Sequence, residues 1–534
     1  MSLIKNVGTI GGLTAVSRVF GFARDMLFAR LFGAGLAADA FQLAFTLPNT
    51  FRRLFAEGAF SVAFVPMYSR KLHGSDGAGG GEDEAAHFAN DVLSVFVWVL
   101  FGFSLLCIAG MEAIVWLLAR EYQSVPGKFE LSVMLSRVTF PYLGLISVVA
   151  LLSGILNTRS RFAPGAIAPI LLNLCLIAGM TWGWYTGQSD VMRALSQSWA
   201  VTVAGLAQLA YLAWSVRRAG VRLKLHWPRM TPDTKVLLWR IFPATFGAGI
   251  YQLSQLADTF FATSLKQGSL TLLKMADRLN QMPLGIVGIA LGTAILPTLS
   301  RHIAGGDQRG AAQLQGRAIE LATLLTIPAA FALAVCAPAF VNAFFVGGKF
   351  RPEDGAIMSQ IVVALVCGLP SYVLVKVLEP GYFSRGDTRT PVLTAGTALT
   401  FNIFLNLVVV RPFGIVGLAA ATACSASLNC ALLYANLHRR GHFRFDGQLL
   451  SRILRQIAAS AVMAVALWYL FHATLPLYTG SVIAKTGGIL LLVSTGLVVY
   501  AALAWLIGAV DKEDIAILAR RRSAKPIDEE IPGF

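Results

Sequence analysis

The chain has 534 residues, of which 56% are apolar and 13% charged, and it carries a net charge of +16. A soluble protein of this length needs roughly twice that charged fraction, so a soluble enzyme, a disordered chain and a secreted disulfide scaffold are all excluded. With a mean hydropathy of +0.65 and about 20 apolar residues needed per span, the chain reads as an all-α polytopic membrane protein.

In chain order, apolar runs at 8–33, 38–66, 91–118, 133–156, 164–184 and 194–215 predict six spans within residues 1–216. Arg18 and Arg24 interrupt the first run, which reads as a retained span and not as a cleaved leader. The basic stretch 217–240 reads as a cytoplasmic linker forming an amphipathic surface helix. Runs at 241–263, 270–299, 318–338, 357–383, 391–409 and 414–437 predict six more spans, within 241–438. Two further spans, 453–472 and 486–509, fall within 439–510, and 511–534 forms a cytoplasmic tail. The total is fourteen transmembrane helices.

With the N-terminus inside, cytoplasmic segments hold 27 lysines and arginines and external segments nine. That bias places both termini in the cytoplasm, and it explains the basic balance without nucleic acid. The chain also repeats itself. Ala38-Asp39, Pro48, Pro66 and Ser69-Arg70 are echoed by Ala276-Asp277, Pro283, Pro297 and Ser300-Arg301. Six spans per copy give both copies the same orientation, which predicts two pseudo-symmetric six-helix lobes plus two C-terminal helices.

Charges inside the predicted spans carry the functional signal. Arg18, Arg24, Arg52, Arg53 and Arg278, with Asp25, Asp39, Glu57 and Asp277, would together cost roughly 25 kcal/mol facing lipid. They must pair or face a water-filled cavity. Arg53 and Glu57 have i, i+4 spacing, and Asp277 adjoins Arg278. Pro48 and Pro283 read as breaks near Arg52 and Arg278. The repeat puts Asp39 and Asp277 at equivalent external helix ends. Cation exceeds acid, which predicts an anionic substrate; the planar arginine fork suits phosphate, and a diphosphate takes two or three. Lys376 and Glu379 are an i, i+3 pair with either a structural or a cavity role. Asp258 stands alone in its span, and Asn402 and Asn406 are i, i+4; these oxygens suit Na⁺ or bonds between helices. The six cysteines lie in apolar stretches with no CxxC spacing, and no P-loop, HExxH or GxSxG occurs. The chain therefore reads as a transporter and not as an enzyme.

The segments SRVFGFARD (17–25), FGAGLAADAF (32–41), LPNTFRRLFAEGAFSVAFVP (47–66), ADRLNQMPLGIVGIALGTAILP (276–297) and GYFSRGDTRTPV (381–392) resemble the MurJ (MviN) family. This is a family of lipid II flippases in the multidrug/oligosaccharidyl-lipid/polysaccharide exporter superfamily. The resemblance implies fourteen helices and alternating access without ATP hydrolysis. It implies movement of undecaprenyl-diphosphate-linked disaccharide-pentapeptide across the bacterial cytoplasmic membrane, with peptidoglycan synthases as partners. It matches the family's cavity arginines to Arg18, Arg24, Arg52 and Arg278 and their acidic partners to Asp25, Asp39 and Glu57, and it gives the last two spans a lipid-tail groove. With the charges read above, the expected substrate-binding set is Arg18, Arg24, Asp25, Arg52, Arg278 and Lys376, and the expected gate is Asp39, Arg53, Glu57 and Asp277. The resemblance also matches a sodium site of some members to Asp258, Asn402, Asn406 and Thr422, although one family carboxylate is Asn406 here. Sodium or the membrane potential would drive the cycle. A drug or polysaccharide-precursor exporter of the same superfamily is the alternative, since fold does not fix substrate.

The topology is tested directly by reporters. One active only outside the membrane should be silent when fused after Phe534 and active when inserted near Gly347; the reverse pattern overturns the fourteen-span reading.

Overall fold

The computed structural model describes residues 3–53, 59–74 and 81–509. In chain order the helices are α1 (Leu3–Phe32), α2 (Leu36–Arg52), α3 (Ala59–His73), α4 (Glu82–Ala109), α5 (Met111–Ala119), α6 (Lys128–Thr139), α7 (Tyr142–Thr158), α8 (Ala163–Tyr185), α9 (Asp190–Arg218) and α10 (Pro232–Thr263). There follow α11 (Ser269–Pro283), α12 (Ile289–Ala304), α13 (Gln308–Phe344), α14 (Pro352–Val366), α15 (Leu369–Phe383), α16 (Arg389–Arg439), α17 (Gly447–Ala473), α18 (Leu475–Thr479) and α19 (Val482–Leu506). Among the described residues the only β pairing is a single bridge, Gly347 to Phe350.

Among the described residues, nine stretches are long and apolar enough to cross a membrane, with α6–α7 and α14–α15 each counted as one. One of the nine, α16, holds two expected spans, divided where Gly414 leaves helical geometry at φ 57°, ψ −138°. The other expected spans fall on α1, α2–α3, α10 and α11–α12. Three of those four carry the intramembrane arginines, which is why they are the less apolar ones.

The chain forms two compact units. The first comprises Met1–Leu279, Phe344–Ala364 and Val392–Ser425, and the second Asn280–Ala343, Leu365–Pro391 and Ala426–Phe534. These units are cut differently from the two halves of the sequence, because the boundary falls inside α11. In the second unit, Ile295, Leu299, Ile319, Val373, Val377, Leu378, Leu433 and Leu437 form one buried cluster. There Arg452 of α17 donates to both carboxylate oxygens of Glu320 on α13, at 2.7 and 2.9 Å.

Proline inside a span removes an N–H and strands the carbonyl four residues earlier. Pro48 was expected to break the second span. Instead α2 runs through it to Arg52, because the Thr139 hydroxyl of α6 donates to the Ala44 carbonyl at 2.8 Å. The same device recurs in the second unit, where Tyr500 of α19 donates to Leu324 O at 2.9 Å, four residues before Pro328 inside α13. Pro283 behaves as expected: it ends α11, and a π-helical turn, Leu284–Gly288, follows.

The linker differs from the surface helix that its charge pattern predicts. Residues 219–231 are non-helical and only Pro232 onward is helical. Gly220 and Pro228 oppose helix formation there, and the extended backbone finds partners on α4. Lys224 N–H donates to Asn90 Oδ1 at 2.8 Å and His226 N–H to Ser94 Oγ at 3.0 Å. Alternate residues of an extended strand advance about 6.6 Å and one helical turn about 6 Å, so the two spacings match. Trp98 and Trp227 stack beside them at 4.8 Å, and His226 Nε2 lies 3.1 Å from Asp91.

The proline device yields an isosteric test. Tyr500→Phe removes the hydroxyl that donates to Leu324 and also meets Ser460, and should lower stability by about 1 kcal/mol, read as a lower melting temperature in detergent. Thr139→Val should do the same for α2, whereas Tyr469→Phe, on an exposed side chain, should change nothing.

Candidate functional site

Asp25 holds two arginines. Arg24, its neighbour on α1, donates from Nε and Nη2 to Asp25 Oδ1 at 3.0 and 2.6 Å. Arg278 of α11 reaches Asp25 Oδ2 through Nε at 3.1 Å. Arg24 is buried, with its third nitrogen, Nη1, donating to Asn173 Oδ1 of α8 at 3.0 Å. Asn173 is fixed in turn by donating from Nδ2 to the Ser17 carbonyl at 3.2 Å. The side chain of Arg278 is 42% exposed, and its Nη1–Nη2 edge has no hydrogen-bond partner among the described residues. The arrangement is one buried guanidinium locked on three sides and one guanidinium offering its fork, with a net charge of +1 before other cations count. Such a cluster binds an anion with a second oxygen pair, and a diphosphate has one.

Arg18 is exposed on α1, about 9 Å along the axis from Arg24. Arg52 and Arg53 close α2, both half-buried. Glu57, the expected partner of Arg53, lies outside the described residues. Lys376 sits in the second unit, 3.0 Å from Glu379, with its side chain half exposed.

Asp39 does not sit among these arginines. It is 1% exposed and caps a helix from another part of the chain. Its Oδ2 accepts from Gly268 N–H at 2.7 Å and its Oδ1 from Thr271 N–H at 3.1 Å and Thr271 Oγ1 at 2.7 Å. These amides are orphan donors at the start of α11, so Asp39 is an N-cap supplied from α2. Lys128 Nζ lies 2.9 Å from Oδ2 and 3.9 Å from the Tyr122 ring centroid. The approach demands glycine. A Cβ on Gly268, at φ +92°, would lie 2.5 Å from Ala34 O, and one on Gly33, at φ +64°, would lie 2.6 Å from Lys349 O. The expected equivalence of Asp39 and Asp277 is corrected here: Asp39 lies in the first turn of α2, Asp277 in the third turn of α11.

The four residues matched to a sodium site are brought together, with Asn406 in hydrogen-bonding contact with Asp258. Thr422 Oγ1 donates to Asp258 Oδ1 at 3.3 Å, and Asn406 Nδ2 to Asn402 Oδ1 at 3.0 Å. Asn406 Oδ1 and Asn402 Nδ2 are both buried without a hydrogen-bond partner among the described residues. An orphan acceptor suits a hard cation, but an orphan donor beside it does not. Lys274 of α11 also lies within electrostatic reach of the Asp258 and Asp277 carboxylates. The set is therefore a poor fit to Na⁺. No group of three or more His, Cys, Asp or Glu that could hold a metal occurs among the described residues.

Three contributors escaped the sequence reading. Lys128 and Lys274 sort as external loop cations, yet Lys128 is 2% exposed and Lys274 is half-buried inside α11. Asn173 sits in an otherwise apolar run; its polarity was the one signal available.

Comparison with known proteins identifies the family of the chain. The family model described as lipid II flippase MurJ matches residues 28–487. A probable lipid II flippase MurJ of Rhizobium meliloti (strain 1021) is 42% identical over 471 residues, covering 88% of this chain and 86% of that protein. The lipid II flippase MurJ of Burkholderia cenocepacia is 33% identical, covering 87% and 89%. A solved structure described as lipid II flippase MurJ, inward closed conformation, shares the fold at a TM-score of 0.76 and 23% identity, over 95% of this chain and 99% of that one. An inward-facing multidrug resistance MATE family transporter shares it at 0.66 and 13% identity, over 79% and 94%.

The Asp39 clasp predicts a specific pattern of stabilities. Asp39→Ala strands the Lys128 ammonium in a buried site and should cost about 3–5 kcal/mol. Adding Lys128→Met should recover most of this, leaving a deficit of about 1 kcal/mol for the uncapped α11. Thermal unfolding of the purified variants checks it; a double variant no better than Asp39→Ala contradicts the pairing.

Proposed function

Because the chain belongs to the lipid II flippase MurJ family, we propose that it carries lipid II from the inner to the outer leaflet of the bacterial cytoplasmic membrane by alternating access, with both termini in the cytoplasm. The observation that supports this reading is the Asp25 bridge, which joins a cation from each half of the sequence. The diphosphate of lipid II competes with Asp25 for the guanidiniums. Arg278 receives it first through its open fork, Arg24 anchors the cluster, and Arg18 and Arg52 complete the charge. The disaccharide-pentapeptide follows into the cavity while the undecaprenyl tail stays in lipid along α17 and α19.

Asp39 works at the opposite end. On this topology the start of α11 and the α1–α2 turn are external, and the Asp39 cap holds them together. Outward opening must release these bonds. The headgroup can drive that step only by binding the open arrangement more tightly than the closed one. Asp277 is the remaining gate residue of this proposal, with Arg53 and Glu57 as a charge pair at the gate whose two members can be removed together, and Lys376 is a further substrate-binding cation. No nucleotide is hydrolysed. With Na⁺ poorly accommodated, the membrane potential acting on the excess cavity charge is the proposed driving force. Peptidoglycan synthases are the proposed acceptors of the flipped product. The exporter alternative is disfavoured for cationic drugs by the arginine excess.

The arginines decide between function and mere pairing. Arg24→Ala, Arg52→Ala and Arg278→Ala should each abolish flipping at unchanged membrane abundance. Arg→Lys should restore only part, since ammonium lacks the bidentate fork. Asn173→Leu, which unlocks Arg24, should cost roughly tenfold or more. Arg53→Ala with Glu57→Ala should retain activity. Normal flipping in Arg52→Ala or Arg278→Ala would refute the diphosphate clamp.

A further inference from the structure

A cleft at the ends of α8 and α9 belongs to none of this machinery. Arg161, Pro164, Tyr211, Trp214, Ser215 and Arg218 line a cavity of about 270 Å³. Both guanidiniums are exposed, and among the described residues neither has a carboxylate partner. Each is nevertheless held in place. Arg161 Nη1 donates to Arg218 O at 3.4 Å, and the Arg218 guanidinium lies over the Trp214 ring at 5.1 Å. Tyr211 and Trp214 stack at 6.2 Å and form an apolar wall. The neighbouring Arg159 differs, since Glu82 neutralises it at 3.1 Å.

The position of the cleft along the membrane normal follows from α8. The helix runs from Ala163 beside the cleft to exposed Trp182, Trp184 and Tyr185 at its other end. That span is about 30 Å, the thickness of a hydrocarbon core. Aromatic residues gather at both boundaries of a membrane, and exposed Trp214 marks the second. The cleft therefore opens where lipid headgroups lie, with an apolar wall toward the acyl chains and two arginines toward the phosphate plane.

We propose that this cleft binds the phosphodiester headgroup of an anionic glycerophospholipid. Two uncompensated guanidiniums select net negative charge: a zwitterionic lipid brings its own cation, which they repel. The site itself does not depend on the proposed topology, which serves only to name its leaflet as the cytoplasmic one.

The test uses the purified full chain in detergent, titrated with phosphatidylglycerol, phosphatidylcholine or inorganic phosphate and read by thermal shift and by lipid adducts in native mass spectrometry. Phosphatidylglycerol should stabilise the protein, and the other two should not. Arg161→Ala with Arg218→Ala should weaken the phosphatidylglycerol response by roughly fivefold for each arginine removed. Arg222→Ala, a linker cation outside the cleft, should leave it intact. Four results overturn the proposal: an unchanged response in the double variant, an equal loss in Arg222→Ala, an equal response to phosphatidylcholine, or one to inorganic phosphate. If the double variant fails to fold, Arg161→Gln and Arg218→Gln are measured singly, and an undiminished response in both overturns it equally.

Discussion

A hydrocarbon interior supplies no water, so each polar group placed there must be answered by another part of the chain. That constraint organises this molecule more than apolar packing does. The carbonyl freed by Pro48 is answered by Thr139, and the one freed by Pro328 by Tyr500. The amides at the start of α11 are answered by Asp39 from α2. Each answer comes from a helix distant in sequence, so satisfying a local defect also fixes a helix–helix register. Prolines that would otherwise break spans become points of attachment.

The same constraint explains why the charge clusters differ in strength. Asp39 makes three hydrogen bonds to α11 and its loop and one to Lys128. Its charge is enclosed, and separating it from these partners is costly. Asp25 has only two guanidiniums, one of them well exposed, so an incoming anion displaces it at lower cost. A transporter that alternates between closed ends needs this contrast. On the proposed function, Asp39 is a tight latch at one end and Asp25 an exchangeable counter-ion at the substrate site.

Much of this was legible in the sequence because charge inside an apolar run is rare and has few explanations. Arg24, Asp25, Arg278 and Asp39 stand out for that reason, and the repeat drew attention to both halves. What stayed hidden was the identity of partners. Lys128 reads as a loop cation because hydropathy cannot tell a loop from a short buried helix start. Asn173 lies 149 residues from Arg24, and an amide in an apolar helix has many possible uses. The linker 219–231 carries the charges of a surface helix, yet its backbone pairs with Asn90 and Ser94 of α4, a match of spacings that periodicity along one segment cannot reveal. The expected continuity break at Pro48 failed for a related reason, since a hydroxyl on α6 decides whether that proline interrupts α2.

On the proposed function, the geometry at Asp25 also orders the events. Arg24 spends three of its N–H groups on Asp25 and Asn173, whereas Arg278 spends one on Asp25. The α1 guanidinium is therefore held by more partners than the α11 guanidinium, which is the more exposed of the two. An anion that captures Arg278 leaves Asp25 with Arg24 alone, loosening the tie between α1 and α11 at the very place where the two halves of the sequence meet. Substrate capture and release of that tie are then one event, because both act on the same carboxylate. A substrate lacking a second phosphate would engage Arg278 without enough oxygens to reach Arg24 as well, and so would exchange one partner for another without adding a bond. On the proposed function, selectivity for a diphosphate follows from how Asp25 divides its two oxygens between the arginines.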